Sequence, residues 1–149
     1  MGSIASLRGK LVAVDTSPFI YFIEERPKYV PFVDPFFEAV DRGEIRVITS
    51  VLTLTEVLVL PLRLKDQRLV ERYSRILLQA DNIFSSEVST AIATRAADLR
   101  SAHRLRTPDA IQLATAIDQG ADAFVTNDVG FAKTAGVEIL MVEELAGIV

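Results

Sequence analysis

Short apolar runs in this chain stop abruptly at polar turns, and most of those turns open a stretch long enough for a helix. Residues 11–14 end at Asp15-Thr16-Ser17, residues 45–48 at Thr49-Ser50, and residues 123–125 at Thr126-Asn127-Asp128. Runs of this length bounded by turn chemistry read as buried strands, and residues 82–84 and 137–141 read the same way. Strands separated by helices cannot pair through tight hairpins and need crossover connections. The pattern predicts an α/β domain with a mainly parallel sheet.

The helices carry their own signals. Thr16-Ser17-Pro18 sets a hydroxyl at a cap and a proline in the first turn, and the helix continues through Phe19, Ile20, Tyr21 and Phe22. Residues 24–31 read as a loop punctuated by Pro27 and Pro31, followed by a helix over 32–42 that Gly43 closes. The helix after Thr49-Ser50 is apolar on nearly every side, holds Glu56, and is ended or kinked by Pro61. Residues 66–80 place Leu69, Tyr73, Ile76 and Ala80 on one face and Arg68, Arg72 and Arg75 on another. A helix over 87–104 carries Val88, Ile92, Ala96 and Leu99 as its apolar stripe, which His103 continues. Thr107-Pro108 opens a further helix, closed by Gly120. A helical turn over 131–134 and a short helix over 142–146 complete the pattern. No repeat, linker or low-complexity segment interrupts it, so residues 1–149 read as a single domain with one core.

Composition narrows the chemistry. Half of the 149 residues are hydrophobic and 24% are charged, as in a globular domain. The absence of cysteine excludes thiolate metal sites, a cysteine nucleophile and disulfides, and a single histidine excludes a multi-histidine zinc site. Any metal must be held by oxygen, which points to Mg²⁺ or Mn²⁺. The apolar run over 51–62 is cut by Glu56 and Pro61 and is too short to cross a bilayer. After Arg8 and Lys10, Asp15 stops the next apolar run short of a signal-peptide core. The expectation is a cytoplasmic protein without a membrane partner. A net charge of -4 argues mildly against a nucleic-acid binder, unless cations bound among clustered carboxylates reverse the local field.

Asp15, Glu56, Asp109 and Asp128 are the candidate carriers of chemistry. Asp15 and Asp128 lie at the carboxyl ends of predicted strands, where open parallel sheets bind ligands. Asp109 lies in the first turn of its helix and Glu56 in the second turn of a helix that follows a strand. Each also has a structural reading: a cap for Asp15, a dipole partner for Asp109, a turn residue for Asp128. Glu56 resists such a reading, because a carboxylate on an apolar helix would be buried unpaired at a cost. A metal ion would offset that cost, and so would a buried arginine. Four convergent carboxylates would hold a hard divalent cation and support hydrolysis, most naturally of phosphodiesters.

Asp15-Thr16-Ser17 with Ile20, Thr53-Leu54-Thr55-Glu56, the segment Pro108-Asp109-Ala110-Ile111-Gln112-Leu113-Ala114-Thr115-Ala116, and Thr126-Asn127-Asp128 with Phe131 together resemble the PIN-domain signature. Order and spacing agree across essentially the whole chain, and the Pro-Asp-Ala-Ile-Gln-Leu-Ala segment is the most specific piece. Length and context are most similar to the VapC-like toxin ribonucleases of type II toxin–antitoxin systems. The resemblance implies a three-layer α/β/α fold, a Mg²⁺ or Mn²⁺ cofactor, and endonucleolytic cleavage of single-stranded RNA by metal-activated water. It implies a homodimer and a cognate antitoxin. It maps the acidic quartet, both catalytic and metal-holding, onto Asp15, Glu56, Asp109 and Asp128, and a supporting hydroxyl onto Thr126. The expected products carry 5′-phosphate and 3′-hydroxyl ends.

Arg95, Arg100, Arg104 and Arg106 precede Asp109, so Arg100, Arg104 and Arg106 are candidates for RNA contact. Arg63, Lys65, Arg68, Arg72 and Arg75 read rather as a solvated face. Phe19, Tyr21, Phe22, Phe32, Phe36 and Phe37 exceed what two helices can bury, so part of this set would form a dimer or antitoxin surface. Two rival enzyme classes lack a needed residue. An aspartyl phosphatase needs a second aspartate where Ser17 stands, and a dinucleotide fold needs a glycine-rich loop, yet no glycine lies between Lys10 and Asp41. A non-catalytic RNA- or protein-binding module on the same fold stays open, as does an RNA-processing nuclease outside a toxin system.

Overall fold

The structure, a computed structural model, describes residues 4–131 and 136–145. Its centre is a five-stranded sheet in the order β3-β2-β1-β4-β5. The strands are β1 (Leu11–Val14), β2 (Arg46–Ser50), β3 (Ile83–Ser86), β4 (Ala123–Thr126) and β5 (Glu138–Met141), and every pairing is parallel. The chain starts at the middle strand, builds outward through β2 and β3, then returns to lay β4 and β5 on the other side. The gap between β1 and β4 is therefore the point where the winding reverses, and crevices open there.

Seven α-helices occur among the described residues: α1 (Ile4–Leu7), α2 (Thr16–Ile23), α3 (Val30–Asp41), α4 (Leu52–Arg63), α5 (Gln67–Gln79), α6 (Thr90–Ala102) and α7 (Thr107–Asp118). Strand side chains alternate between two cores, as the pleat requires. Val12, Val14, Val47, Val125 and Leu140 join Phe19, Phe36, Phe37, Val57, Tyr73 and Leu77 from the helices on one face. Ala13, Ile48 and Phe124 join Ile92, Ala96, Leu99, Leu113 and Phe131 on the other. The result is a three-layer α/β/α fold, with α6 and α7 forming one outer layer.

Several local expectations are corrected. Asp15, not a hydroxyl, caps α2: its Oδ1 accepts from the Thr16 backbone N–H at 2.9 Å. Helix α3 starts at Val30 because Pro31 falls in its first turn, where no intrahelical N–H is needed. Pro61 does not end α4, which runs on to Arg63; the proline is buried in line with Thr53 and Val57. Ser89 caps α6 with a 3.1 Å bond to the Ile92 N–H, so Val88 lies outside the helix and is exposed. His103 is the C-cap residue of α6, with extended backbone, and does not continue its stripe. Helix α1 is too short to leave a periodic signal in the sequence. A 3₁₀ turn spans Val129–Phe131 and another Val142–Leu145. The rest of the predicted turn to residue 134, and residue 146, lie outside the described residues.

Candidate active site

Register places the first part of the site. Val14 pairs with Val125, and the Asp15 N–H donates to Val125 O at 2.9 Å, so Asp15 and Thr126 leave the sheet side by side. Thr126 Oγ1 donates to Asp15 Oδ2 at 2.8 Å and accepts from the Asp128 N–H at 3.0 Å. One hydroxyl thus ties the two strand-end aspartates together. Asp128 Oδ1 accepts from Gly130 N–H at 2.8 Å, and a Cβ at Gly130 would stand 3.1 Å from that same oxygen. A side chain at Gly130 would crowd the carboxylate it holds.

Glu56 differs from expectation. It is exposed, not buried, because α4 faces the protein with Thr53, Val57 and Pro61, and with Leu54 and Leu58 partly buried beside them. The apolar residues beyond it, Val59, Leu60 and Leu62, lie at the surface, and Leu64 just past the helix is 67% exposed. No buried arginine is needed to explain Glu56. Its Oε1 instead accepts a 2.6 Å bond from Thr16 Oγ1, across from α4 to the start of α2.

Behind Thr16 stands a buried polar relay. Thr49 Oγ1 donates to Val14 O at 2.8 Å. With that proton committed, Thr53 is the donor in its 2.9 Å contact with Thr49. Gln112 Nε2 donates to Thr53 Oγ1 at 2.7 Å and to Thr16 Oγ1 at 3.4 Å, while its Oε1 accepts from Ser50 N–H at 3.4 Å. Thr16 is then left to donate to Glu56. The relay links β2, α2, α4 and α7 through one satisfied network, and Gln112 at its centre is 2% exposed. Among the described residues no buried side-chain nitrogen or oxygen lacks a partner. Gln112 and Thr53 were not singled out from sequence as positioning groups; a polar residue inside an apolar helical face was the available signal.

Asp109, half-buried in the first turn of α7, is paired with Arg106, Nε to Oδ2 at 3.1 Å and Nη2 to Oδ1 at 3.5 Å. That guanidinium also lies in the field of Asp128 and Glu56. Arg100 is spent on the loop between α6 and α7, donating to Leu105 O and Thr107 Oγ1, both at 2.9 Å. Arg104 is exposed.

Asp15 is 8% exposed, and burial pushes its pKa up to about 6 against the opposing bonds from Thr126 and Thr16; the charges of Asp109 and Glu56 push the same way. Among the described residues no ion pair includes it. The quartet therefore shares one electrostatic neighbourhood. As they stand, no three acidic or histidine side chains among the described residues are close enough to hold a metal ion. The donor chemistry nonetheless fits a hard cation: all oxygen, with one buried carboxylate lacking a counter-charge. A cleft of about 740 Å³ lies elsewhere, between α3, α5 and the start of β3. Among the described residues no helix is long and apolar enough to cross a membrane.

Comparison with known proteins agrees with this fold. The PIN domain family model matches residues 12–137. No curated protein matches the chain significantly. Similar solved structures include VapBC2 from Rickettsia felis bound to a promoter DNA fragment, with TM-score 0.70, 16% identity, 88% of this chain and 98% of that chain covered. The sarcin-ricin loop cleaving toxin VapC20 of Mycobacterium tuberculosis gives TM-score 0.68 at 18% identity, covering 85% of this chain and 97% of that one. A toxin–antitoxin complex from Klebsiella pneumoniae gives TM-score 0.64 at 24% identity, covering 88% and 97%. At such identities the likeness is one of fold, while the family match runs from β1 to the edge of β5. The chain belongs to the PIN-domain family.

Proposed function

We propose that this PIN domain is a divalent-metal-dependent endoribonuclease acting on single-stranded RNA, and that it is the toxin of a toxin–antitoxin pair. Asp15 carries the reading. It is a carboxylate kept at the winding reversal of the sheet, buried, flanked by other acids, and without a basic partner among the described residues. Its capping of α2 stabilises the fold, but an uncharged Asn or Ser would cap as well without the cost of burying an unpaired charge. A divalent cation would remove that cost and, when bound, would activate water and neutralise charge on the phosphate. PIN-domain nucleases generally use divalent ions, and Mg²⁺ or Mn²⁺ suits an all-oxygen set.

Within that reading Asp15, Asp109 and Asp128 supply oxygen ligands. Thr126 keeps Asp15 and Asp128 in fixed relation through its two hydrogen bonds. Thr16 fixes Glu56, which ligates or orients the attacking water. Arg106, released from Asp109, faces the phosphate, with Arg104 beside it. Two surfaces suit protein partners. The cleft lined by Phe22, Phe37, Val40, Ile76 and Ile83 suits an inserted antitoxin segment. The exposed row Val59, Leu60, Leu62 and Leu64 suits a second copy of the chain.

Labelled single-stranded RNA incubated with the protein and Mn²⁺ should give discrete fragments with 5′-phosphate ends, and EDTA should stop the reaction. Cleavage that survives EDTA, or fragments ending in a 3′-phosphate, would contradict hydrolysis by metal-activated water.

A further inference from the structure

We propose that Tyr21 and Tyr29, locked together by Asn127, form a platform on which a base of the RNA strand stacks beside the acidic residues; this rests on the ribonuclease reading above. The two rings come from different places in the chain. Tyr21 lies in α2, the helix capped by Asp15, and Tyr29 is the cap residue of α3. Their centroids are 3.8 Å apart and their planes 11° from parallel. Isolated aromatic pairs favour offset or edge-to-face geometry, and here a single amide nitrogen holds the rings in closer register. Asn127 Nδ2 donates to Tyr21 Oη at 3.0 Å and to Tyr29 Oη at 3.1 Å.

Asn127 stands between Thr126, which holds Asp15, and Asp128. The ring pair is thus anchored to the same three-residue segment as half of the quartet. Unlike Phe19, Phe36 and Phe37, which fill the core, both tyrosines are partly exposed. One face of Tyr29 lies against Tyr21, and the Lys28 ammonium stands over the ring at 5.4 Å from its centroid. A stacked ring with a cation over it has the make-up of a single-strand site: the π-face accepts any base and the lysine takes the adjoining phosphate. A base added on the Lys28 side would extend the stack and move the ammonium onto the backbone. In a chain of net charge -4, stacking supplies affinity that general electrostatics does not.

The chain has no tryptophan and three tyrosines, and the third, Tyr73, is fully buried, so changes in intrinsic emission report on this pair. In EDTA, and after correction for light absorbed by the bases, a short single-stranded RNA should quench tyrosine emission, and an abasic strand of equal length should not. Tyr29→Leu should weaken RNA binding about tenfold and raise KM more than it lowers kcat, whereas Tyr29→Phe, which keeps the ring but loses its bond from Asn127, should weaken binding less than the leucine variant. Equal quenching by the abasic strand overturns the proposal, as does a folded leucine variant that binds like wild type. The abasic comparison uses wild-type protein and decides the matter even if the leucine variant does not fold. Base-dependent quenching without Mn²⁺-dependent cleavage rejects the nuclease and keeps the platform. Cleavage with no effect of Tyr29→Leu rejects the platform and keeps the nuclease. Absence of both cleavage and binding rejects both.

Discussion

Asp15 titrates against its surroundings. Burial lifts it from 3.8 to about 6, while the hydrogen bonds from Thr126 and Thr16 pull the other way and lose. Between those values the folded protein keeps a proton that the unfolded chain releases. Asp15's contribution to stability is therefore full below the lower value and falls away as pH rises through the upper one. In metal-free protein Asp15→Asn should remove that loss, raising stability near neutral pH by about 1–3 kcal/mol and flattening the slope below it. Urea unfolding in EDTA at mildly acidic and neutral pH checks this, and a variant no more stable than wild type at neutral pH would contradict the burial penalty. Mn²⁺ should reverse the ranking by raising the Tm of wild type but not of the variant. The placement of Asp15 and Asp128 just past neighbouring strand ends was legible in sequence because a strand end is a fixed address in a parallel sheet. The surroundings of Glu56 were not. Its neighbours are apolar, but sequence does not say which side of a helix has a protein surface to face, and its neighbours Val59 and Leu60 turned out to be exposed.

Gln112 shows how elements, more than single residues, hold the site. It sits one turn after Asp109 on α7 and touches β2, α4 and the start of α2 through Ser50, Thr53 and Thr16. Gln112→Leu would leave these groups short of partners in a dry interior and should cost about 1–3 kcal/mol of stability. It should also lower kcat more than it raises KM, because Glu56 is positioned through Thr16. Chemical unfolding and steady-state kinetics test both halves, and unchanged kcat with lost stability would make Gln112 merely structural. At this scale the sequence was clear where the helical period was strong, as in α5, whose expected face of Leu69, Tyr73, Ile76 and Ala80 packs against the core, joined by Leu77, and which opens on an Asp66 cap that the period did not reveal. Prolines were harder to place. Pro31 fits the first turn of α3, and Pro61 is carried inside α4 because its ring packs in the buried stripe. Those outcomes depend on tertiary packing, which a local pattern does not contain.

For the molecule as a whole, the alternation of strands and helices sufficed to read an α/β domain with a parallel sheet, and the motif resemblance added its three layers. The order β3-β2-β1-β4-β5, which makes β1 and β4 neighbours, follows from pairing between distant segments and had to be seen. So did the apolar row on α4, which local pattern assigns to a core. If that row joins two copies, Leu60→Lys with Leu64→Glu should turn a dimer into a monomer in sedimentation; a monomeric wild type at micromolar concentration would contradict it. Joint action of the four carboxylates through a divalent ion underlies the whole functional reading. Its most direct test compares wild type, Asp15→Asn and Asp109→Asn in the same pair of assays, Mn²⁺ binding and cleavage of labelled single-stranded RNA. Wild type should bind Mn²⁺ and cut, and both folded variants should lose cleavage together with tight binding. Full cleavage by either variant, or cleavage by a wild type that binds no metal, would contradict it.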